Sequence, residues 1–254
     1  MRIVIITQDD PFYLAENLDY LLGILPAHSS VVGCVVNDAS PFGRKETFLE
    51  KALKTYRIFG PRFFLHYAVN FVISKIDRKK QVDAVLNRYG IPKITLDGSI
   101  NEPESVRRIK LYQPDLLVSI LGNQIFRNPV IGLASKGCLN LHTALLPKYR
   151  GLLPTFWVLR FNEVYTGVSV FFVDEGIDSG PIVVQKKIAI GNLTQQALIK
   201  ATKKLGMDAI AEAVDLIEHG LVVLIDNDPA QQTYYSFPTR KDVKAFLAAG
   251  KKFF

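Results

Sequence analysis

The residue types able to do chemistry are concentrated between positions 138 and 185, in the run CLNLHTALLPKYRGLLPTFWVLRFNEVYTGVSVFFVDEGIDSGPIVVQ. Asn140 and His142 are two residues apart in a short apolar segment, so on a strand both side chains leave from one face. Their neighbours Cys138, Leu139 and Leu141 give no packing reason to set an amide beside an imidazole. A satisfied core pair is one reading and a reactive pair is the other. The loop Asp174-Glu175-Gly176-Ile177-Asp178-Ser179-Gly180 favours the second, because it puts acids among glycines, and glycine lets backbone approach a ligand closely. A carboxylate beside an imidazole orients the ring for proton transfer. Asp178 keeps a competing reading as an Asx-turn residue that caps its own loop.

The elements that must position these groups follow from hydrophobic periodicity. Continuous apolar runs at Met1–Thr7, Ser30–Asn37, Leu116–Leu121 and Cys138–His142 read as buried parallel strands, with a short one at Gly90–Thr95. Helical spacing separates them at Phe12–Leu25, Gln81–Tyr89 and Glu102–Tyr112. This alternation predicts an α/β fold, a doubly wound, Rossmann-like and mostly parallel sheet. Gly167–Val173 and Gly180–Ile190 alternate around an Asp/Gly loop and predict an antiparallel extension. Thr194–Gly220 is a long amphipathic helix ending at glycine, and the last thirty or so residues are aromatic and basic with weak periodicity. The expected organisation is a catalytic unit over 1–190 with a helical insertion at 41–89. A C-terminal helix and short extension over 191–254 follow, without a separate second domain.

Composition bounds the function. The chain has 254 residues, is 48% hydrophobic and 22% charged, and carries a net charge of +7. That fits a folded globular protein and excludes a disordered chain. Cys34 and Cys138 lie apart in apolar runs, outside any CxxC pair, so buried free thiols are expected and no metal site. No stretch of about 18 apolar residues predicts a membrane span, and the first residues do not read as a signal peptide, so a cytoplasmic location is expected. The net charge resembles a nucleic-acid footprint until it is located. Arg44, Lys45, Lys51, Lys54, Arg57, Arg62, Lys75, Arg78, Lys79 and Lys80, against Glu46, Glu50 and Asp77, account for all of it. The rest of the chain is neutral.

Three ordered blocks carry a resemblance. They are N-x-H-x-x-L-L-P-x-x-R-G from Asn140 to Gly151, T-G-V from Thr166 to Val168, and D-E-G-x-D-x-G-x-I from Asp174 to Ile182. Together they resemble the folate-dependent formyltransferase family, which includes methionyl-tRNA formyltransferase and the sugar N-formyltransferases. The likeness is dense from about 115 to 187, weak over 1–37 and loose over 190–238. The resemblance places no counterpart for residues 41–85. The resemblance implies transfer of a formyl group from 10-formyltetrahydrofolate to an amine, with no metal. It assigns catalysis to Asn140, His142 and Asp178: protonated His142 and the Asn140 amide stabilise the oxyanion, and Asp178 holds His142 and helps take the proton. It puts the folate beside Ser119, Leu121, Asn123, Gln124, Ile125, Val173, Asp174, Glu175, Gly176 and Ile177. In this family the pterin is held largely by backbone groups, so side-chain identity there is a weak signal. Lys148, Tyr149 and Arg150 are the candidate acceptor residues, with Lys148 and Arg150 either meeting a phosphate or standing solvated.

Two departures shape the expected acceptor. The loop after the first strand, TQDDPFYL, lacks the Gly-rich phosphate cradle of the glycinamide ribonucleotide enzyme of this family. The chain also ends soon after QQTYYSFPT, without the β-barrel domain of the methionyl-tRNA enzyme. A small acceptor is therefore expected, the amine of a nucleotide-linked amino sugar. Methionyl-tRNA is the alternative, with 41–80 as the RNA grip. A formate-releasing hydrolase and a folate-binding module without turnover are the other readings. A dinucleotide-binding oxidoreductase is excluded by the absence of G-x-G-x-x-G after the first strand. Phe42–Tyr56 and Phe59–Ile76 read as a helical hairpin covering the sheet, its aromatic face near the mouth of the site and a second copy of the chain as a candidate partner. An interfacial membrane helix and a phosphate-binding surface are the competing readings of this segment.

Overall fold

A computed structural model describes residues 1–37, 47–77, 81–121 and 124–254. β1 (Arg2–Gln8), β2 (Ser30–Asn37), β3 (Lys93–Ile94), β4 (Leu116–Ile120) and β5 (Cys138–His142) are mutually parallel. β7 (Tyr165–Phe172) and β8 (Ile182–Ala189) extend the sheet antiparallel, in the order β3-β2-β1-β4-β5-β7-β8. Both faces of the central strands are buried, which is why Ile3–Ile6 of β1 and Leu116–Val118 of β4 are continuous apolar runs rather than alternating. The chain winds outward from β1 to β2 and β3, then returns to the other side of β1 at β4. That reversal leaves a crevice beyond the carboxyl ends of β1 and β4, the usual ligand position in such sheets.

α1 (Leu14–Ile24), α4 (Val82–Arg88) and α8 (Gln195–Glu218) pack on one face through Leu18, Leu21, Val85, Ile210 and Val214. α5 (Pro103–Lys110) and α6 (Asn128–Ile131) cover the other through Ile109 and Val130, with Phe126 just before α6. β4 stops at Ile120 because Leu121 takes a left-handed conformation, φ 60°. β3 is shorter than the expected Gly90–Thr95, since Pro92 has no N–H to give the ladder.

α2 (Phe48–Phe59) and α3 (Pro61–Ile76) form a helical hairpin turned at Gly60, and the Thr47–Glu50 capping box starts α2. Phe42, Arg44, Lys45, Arg78, Lys79 and Lys80 lie outside the described residues. The hairpin was expected over the sheet. Its packing partners are instead the C-terminus and the loop after β1. Phe63 meets Phe253 with ring centroids 4.9 Å apart, Tyr67 meets Phe12 at 4.7 Å, and Lys75 reaches Asp9 at 3.4 Å.

The weakly periodic C-terminal segment folds as β9 (Tyr234–Tyr235), parallel to β6 (Arg150–Gly151), and as α9 (Arg240–Ala248). Thr239 and Asp242 cap α9, and Phe246 stacks on Phe156 and Phe253 beside α7 (Pro154–Arg160). No helix among the described residues is long and apolar enough to cross a membrane.

Both cysteines are free and buried, and burial pushes each thiol up to about 12. A thiol-reactive disulfide reagent at mildly alkaline pH should therefore leave the folded protein unmodified and titrate both thiols once denaturant is added. Rapid labelling of either thiol in the native state would contradict this packing.

Candidate active site

At the end of β5 the parallel ladder brings Asn140 beside Ser119, and the antiparallel ladder sets His142 opposite Ser169. Cys138, Asn140 and His142 share the sheet face away from α8, as the two-residue spacing predicts. His142 is buried, and its Nε2 lies 2.7 Å from the carbonyl oxygen of Tyr149. A carbonyl only accepts, so Nε2 carries the hydrogen in this contact. That leaves Nδ1 as the exchangeable nitrogen, and it lies 3.5 Å from Asp178 Oδ2. The Asn140 amide has no hydrogen-bond partner among the described residues and opens on the cavity between them.

Asp178 is held from two directions besides its contact with His142. Its Oδ2 accepts from the Gly151 amide at 2.9 Å, and its backbone carbonyl accepts from Asn227 Nδ2 at 3.0 Å. The same Asn227 amide donates to Gly180 O at 2.9 Å. Gly151 takes φ 96°, and a Cβ there would lie 2.3 Å from the Tyr235 carbonyl oxygen, so only glycine brings this amide to Asp178. Leu121, Tyr149, Leu153 and Asp178 all adopt positive φ, at 60°, 61°, 52° and 49°. Each costs about 1–3 kcal/mol; Leu121 and Asp178 line one cavity, and Tyr149 reaches it through its carbonyl contact with His142.

That cavity has a volume of about 210 Å³ at the topological switch point. Of the residues expected to hold the folate, Ser119, Leu121, Gln124, Ile125, Val173, Asp174, Gly176 and Ile177 line it. Ile125 and Ile177 remain 46% and 37% exposed, an apolar rim that a flat ring would cover. Gln124 Oε1 accepts from the Ile100 amide, tying this wall to the loop before α5. Asp174 shapes the loop by accepting from Gly176 N at 3.0 Å and Ser179 Oγ at 2.6 Å. These residues fit a planar, partly apolar donor. Asn123 lies outside the described residues. Glu175 does not line the cavity; its carboxylate accepts from Asn128 Nδ2 at 2.6 Å on α6.

None of the three candidate acceptor residues lines the cavity. Lys148 is exposed and outside the cavity. The Tyr149 hydroxyl donates to Glu163 at 2.6 Å, and burial first, then Glu163, pushes the phenol up, so only the Tyr149 carbonyl serves the site. Arg150 is buried and faces inward. Its guanidinium donates to Gln232 Oε1 at 2.5 Å and to Asn227 Oδ1 at 2.8 Å, which removes it from any phosphate.

The cavity is also lined by residues that sequence reasoning missed: Tyr13, which caps α1, Asn17 from α1, and Lys203 and Met207 from α8. Lys203 pairs with Asp10 at 3.7 Å and sits 5.6 Å from the centre of the Tyr13 ring. Burial holds its ammonium below the usual lysine range, partly offset by Asp10. In sequence it reads as one more charge on a long helix.

The fold is of the doubly wound α/β class, with a cavity at its switch point. Residues 69–214 match the family described as formyl transferase, and the chain belongs to that family. Methionyl-tRNA formyltransferase of Kosmotoga olearia is 34% identical over 186 residues, 69% of this chain and 60% of that protein. The enzyme of the same name from Trichlorobacter lovleyi is 33% identical over 148 residues, 58% of this chain and 46% of that protein. The chain thus spans about half to three fifths of the length of these relatives. Among solved structures, the N-formyltransferase from Helicobacter canadensis, in complex with folinic acid and dTDP-3-aminofucose, matches with a TM-score of 0.60 at 17% identity. That match covers 97% of this chain and 79% of that one. Glycinamide ribonucleotide transformylase 1 from Symbiobacterium toebii matches with a TM-score of 0.61 at 19% identity, covering 89% and 92%. Both share the fold.

Replacing Asn227 with alanine removes the two donations that hold the 178–180 turn and strips Arg150 of a partner. The expected cost is about 2–3 kcal/mol of stability, read as a lower urea midpoint with an unchanged slope. A midpoint within error of the parent chain would mean that Asn227 does not hold this turn.

Proposed function

We propose that this chain transfers a formyl group from 10-formyltetrahydrofolate to a primary amine, and that the amine belongs to a nucleotide-linked amino sugar. The observation that carries the reaction is the fixed imidazole: Nε2 engaged by the Tyr149 carbonyl, Nδ1 open toward Asp178, and the free Asn140 amide on the same face. The neutral amine attacks the formyl carbon and a new C–N bond forms. The Asn140 amide and a proton on His142 Nδ1 donate to the oxygen as negative charge develops there. Asp178 takes the amine's proton, directly or through a water. The carbon's bond to the donor nitrogen then breaks as a proton passes to that nitrogen. No covalent enzyme intermediate is needed.

A small acceptor is supported by the lining of the cavity. Tyr13, Asn17, Lys203 and Met207 complete that lining, and among the described residues Lys203 and His142 are its only basic members. The second reading, methionyl-tRNA as acceptor, is favoured by the identity to the Kosmotoga olearia enzyme.

Mass spectrometry of products from 10-formyltetrahydrofolate, with nucleotide amino sugars and methionyl-tRNA offered in parallel, separates the two. His142→Ala and Asp178→Ala should each lower turnover at least about a hundredfold. Asn140→Ala should lower it by about 10² to 10³. Near-parental turnover by any of the three would remove that residue from catalysis, and product on methionyl-tRNA alone would replace the acceptor.

A further inference from the structure

A second cavity, of about 340 Å³, lies between the hairpin and the body of the protein. It shares Tyr13 with the catalytic cavity, and one face of α8 runs beneath both. Gln196, Ile199 and Lys200 line the second cavity; Lys203 and Met207 line the first. From Gln196 to Met207 this helical face is about 16 Å long, at 1.5 Å per residue. The trough could therefore hold one extended molecule with its reacting end at His142.

The walls of the second cavity specify the other end. They are aromatic, with Phe12, Phe63, Tyr67, Phe237, Phe253 and Phe254 among them. Several rings already lie nearly parallel: Phe63 and Tyr67 at 19°, His66 and Phe254 at 12° with centroids 3.9 Å apart. Such surfaces favour a flat ring that can stack. Into this apolar setting Gln195 brings an amide. The residue is only 6% exposed, lines the cavity, and its side chain makes no hydrogen bond to the described residues. A primary amide offers a donor and an acceptor side by side, the complement of the edge of a nucleobase. His66, on the same wall, has a buried Nε2 without a partner.

Lys200 is the one lysine or arginine side chain among the described residues that line the cavity. None of its lining residues is acidic, and Lys200, on the α8 face between the two cavities, is exposed with no ion-pair partner among the described residues. Lys203 is not available in the same way, because Asp10 already occupies it.

We infer that the hairpin cavity is the nucleoside subsite of the acceptor, stacking a heteroaromatic base against its aromatic wall, reading the base edge with Gln195 and holding the neighbouring phosphate with Lys200. The hairpin thereby acts in substrate recognition, and its aromatic residues form the walls of a binding site. This assignment rests on the amine-transfer reading for its link to catalysis, whereas nucleotide binding is measurable without turnover.

Calorimetry on the full chain tests it, with the diphosphates of uridine, thymidine, adenosine and guanosine, with inorganic pyrophosphate and with decyl phosphate as separate probes. A non-hydrolysable folate analogue, titrated in parallel, reports on the catalytic cavity. At least one nucleoside diphosphate should bind, and pyrophosphate and decyl phosphate should bind more weakly. Lys200→Glu and Gln195→Leu should each weaken that nucleotide about tenfold, the loss of one strong hydrogen bond, with folate-analogue binding unchanged. The inference is overturned if the analogue binds and no nucleoside diphosphate does, if neither variant weakens the nucleotide, or if decyl phosphate binds as tightly. Nucleotide binding that follows the two variants in a chain that neither binds the analogue nor transfers formyl would uphold the subsite and overturn the proposed reaction.

Discussion

The hydrogen bond between His142 Nε2 and the Tyr149 carbonyl is the constraint around which the site is arranged. It fixes which imidazole nitrogen faces the chemistry. To deliver that carbonyl, the chain after β5 must fold back within seven residues, with Tyr149 in a left-handed conformation and Gly151 packed too closely to admit a Cβ. The strain is offset by pairing at distance. β6 lies beside β9, Tyr149 N donates to Thr233 Oγ1 at 2.8 Å, and Arg150 is locked between Asn227 and Gln232. The C-terminal segment is thus part of the active-site scaffold, although it is remote in sequence.

The second anchor is the antiparallel strand β7. Ser169 stands opposite His142 in the ladder, and its hydroxyl donates to Ala144 O at 2.8 Å while accepting from Leu146 N at 3.0 Å and Gln185 Nε2 at 3.0 Å. A buried hydroxyl so placed satisfies the backbone of the turn after His142, which would otherwise leave polar groups unpaired in the core. The switch from parallel to antiparallel pairing at β5 therefore does more than extend the sheet. It supplies the side chains that tie down the loop carrying the Tyr149 carbonyl.

Much of this was legible in the sequence because it depends on residue type at short spacing. Two polar residues at strand period mark Asn140 and His142, and glycines around acids mark the Asp178 loop. Continuous apolar runs mark the central strands. The illegible parts have common physical causes. The Tyr149 carbonyl is a backbone atom, which any residue would bring, so its role leaves no mark in the letters. Asn227 and Lys203 act across long sequence separations, and each looks ordinary among its neighbours. Arg150 looked like a phosphate ligand because charge is visible in a sequence and burial is not. The Thr239-x-x-Asp242 signal for α9 was present, but the apolar residues behind it were too few for periodicity to confirm a helix.

The loop after β1 shows how a departure from a family pattern acquires physical content. The sequence has TQDDPFYL where a phosphate cradle would need glycines and free backbone amides. In the structure Asp10 fills that role from within the chain. Its Oδ1 accepts from Phe12 N at 2.9 Å, and its Oδ2 pairs with Lys203 at 3.7 Å. Both groups that could receive an anion at this corner, an amide and a desolvated ammonium, already hold a carboxylate. A phosphate arriving here would have to displace Asp10 and leave that acid half-buried beside it, a like-charge arrangement costly at low local dielectric. Lys203 is therefore not open to an anion at this corner. The next lysine on the same helical face, one turn toward its N-terminus, is Lys200, which carries no such partner among the described residues.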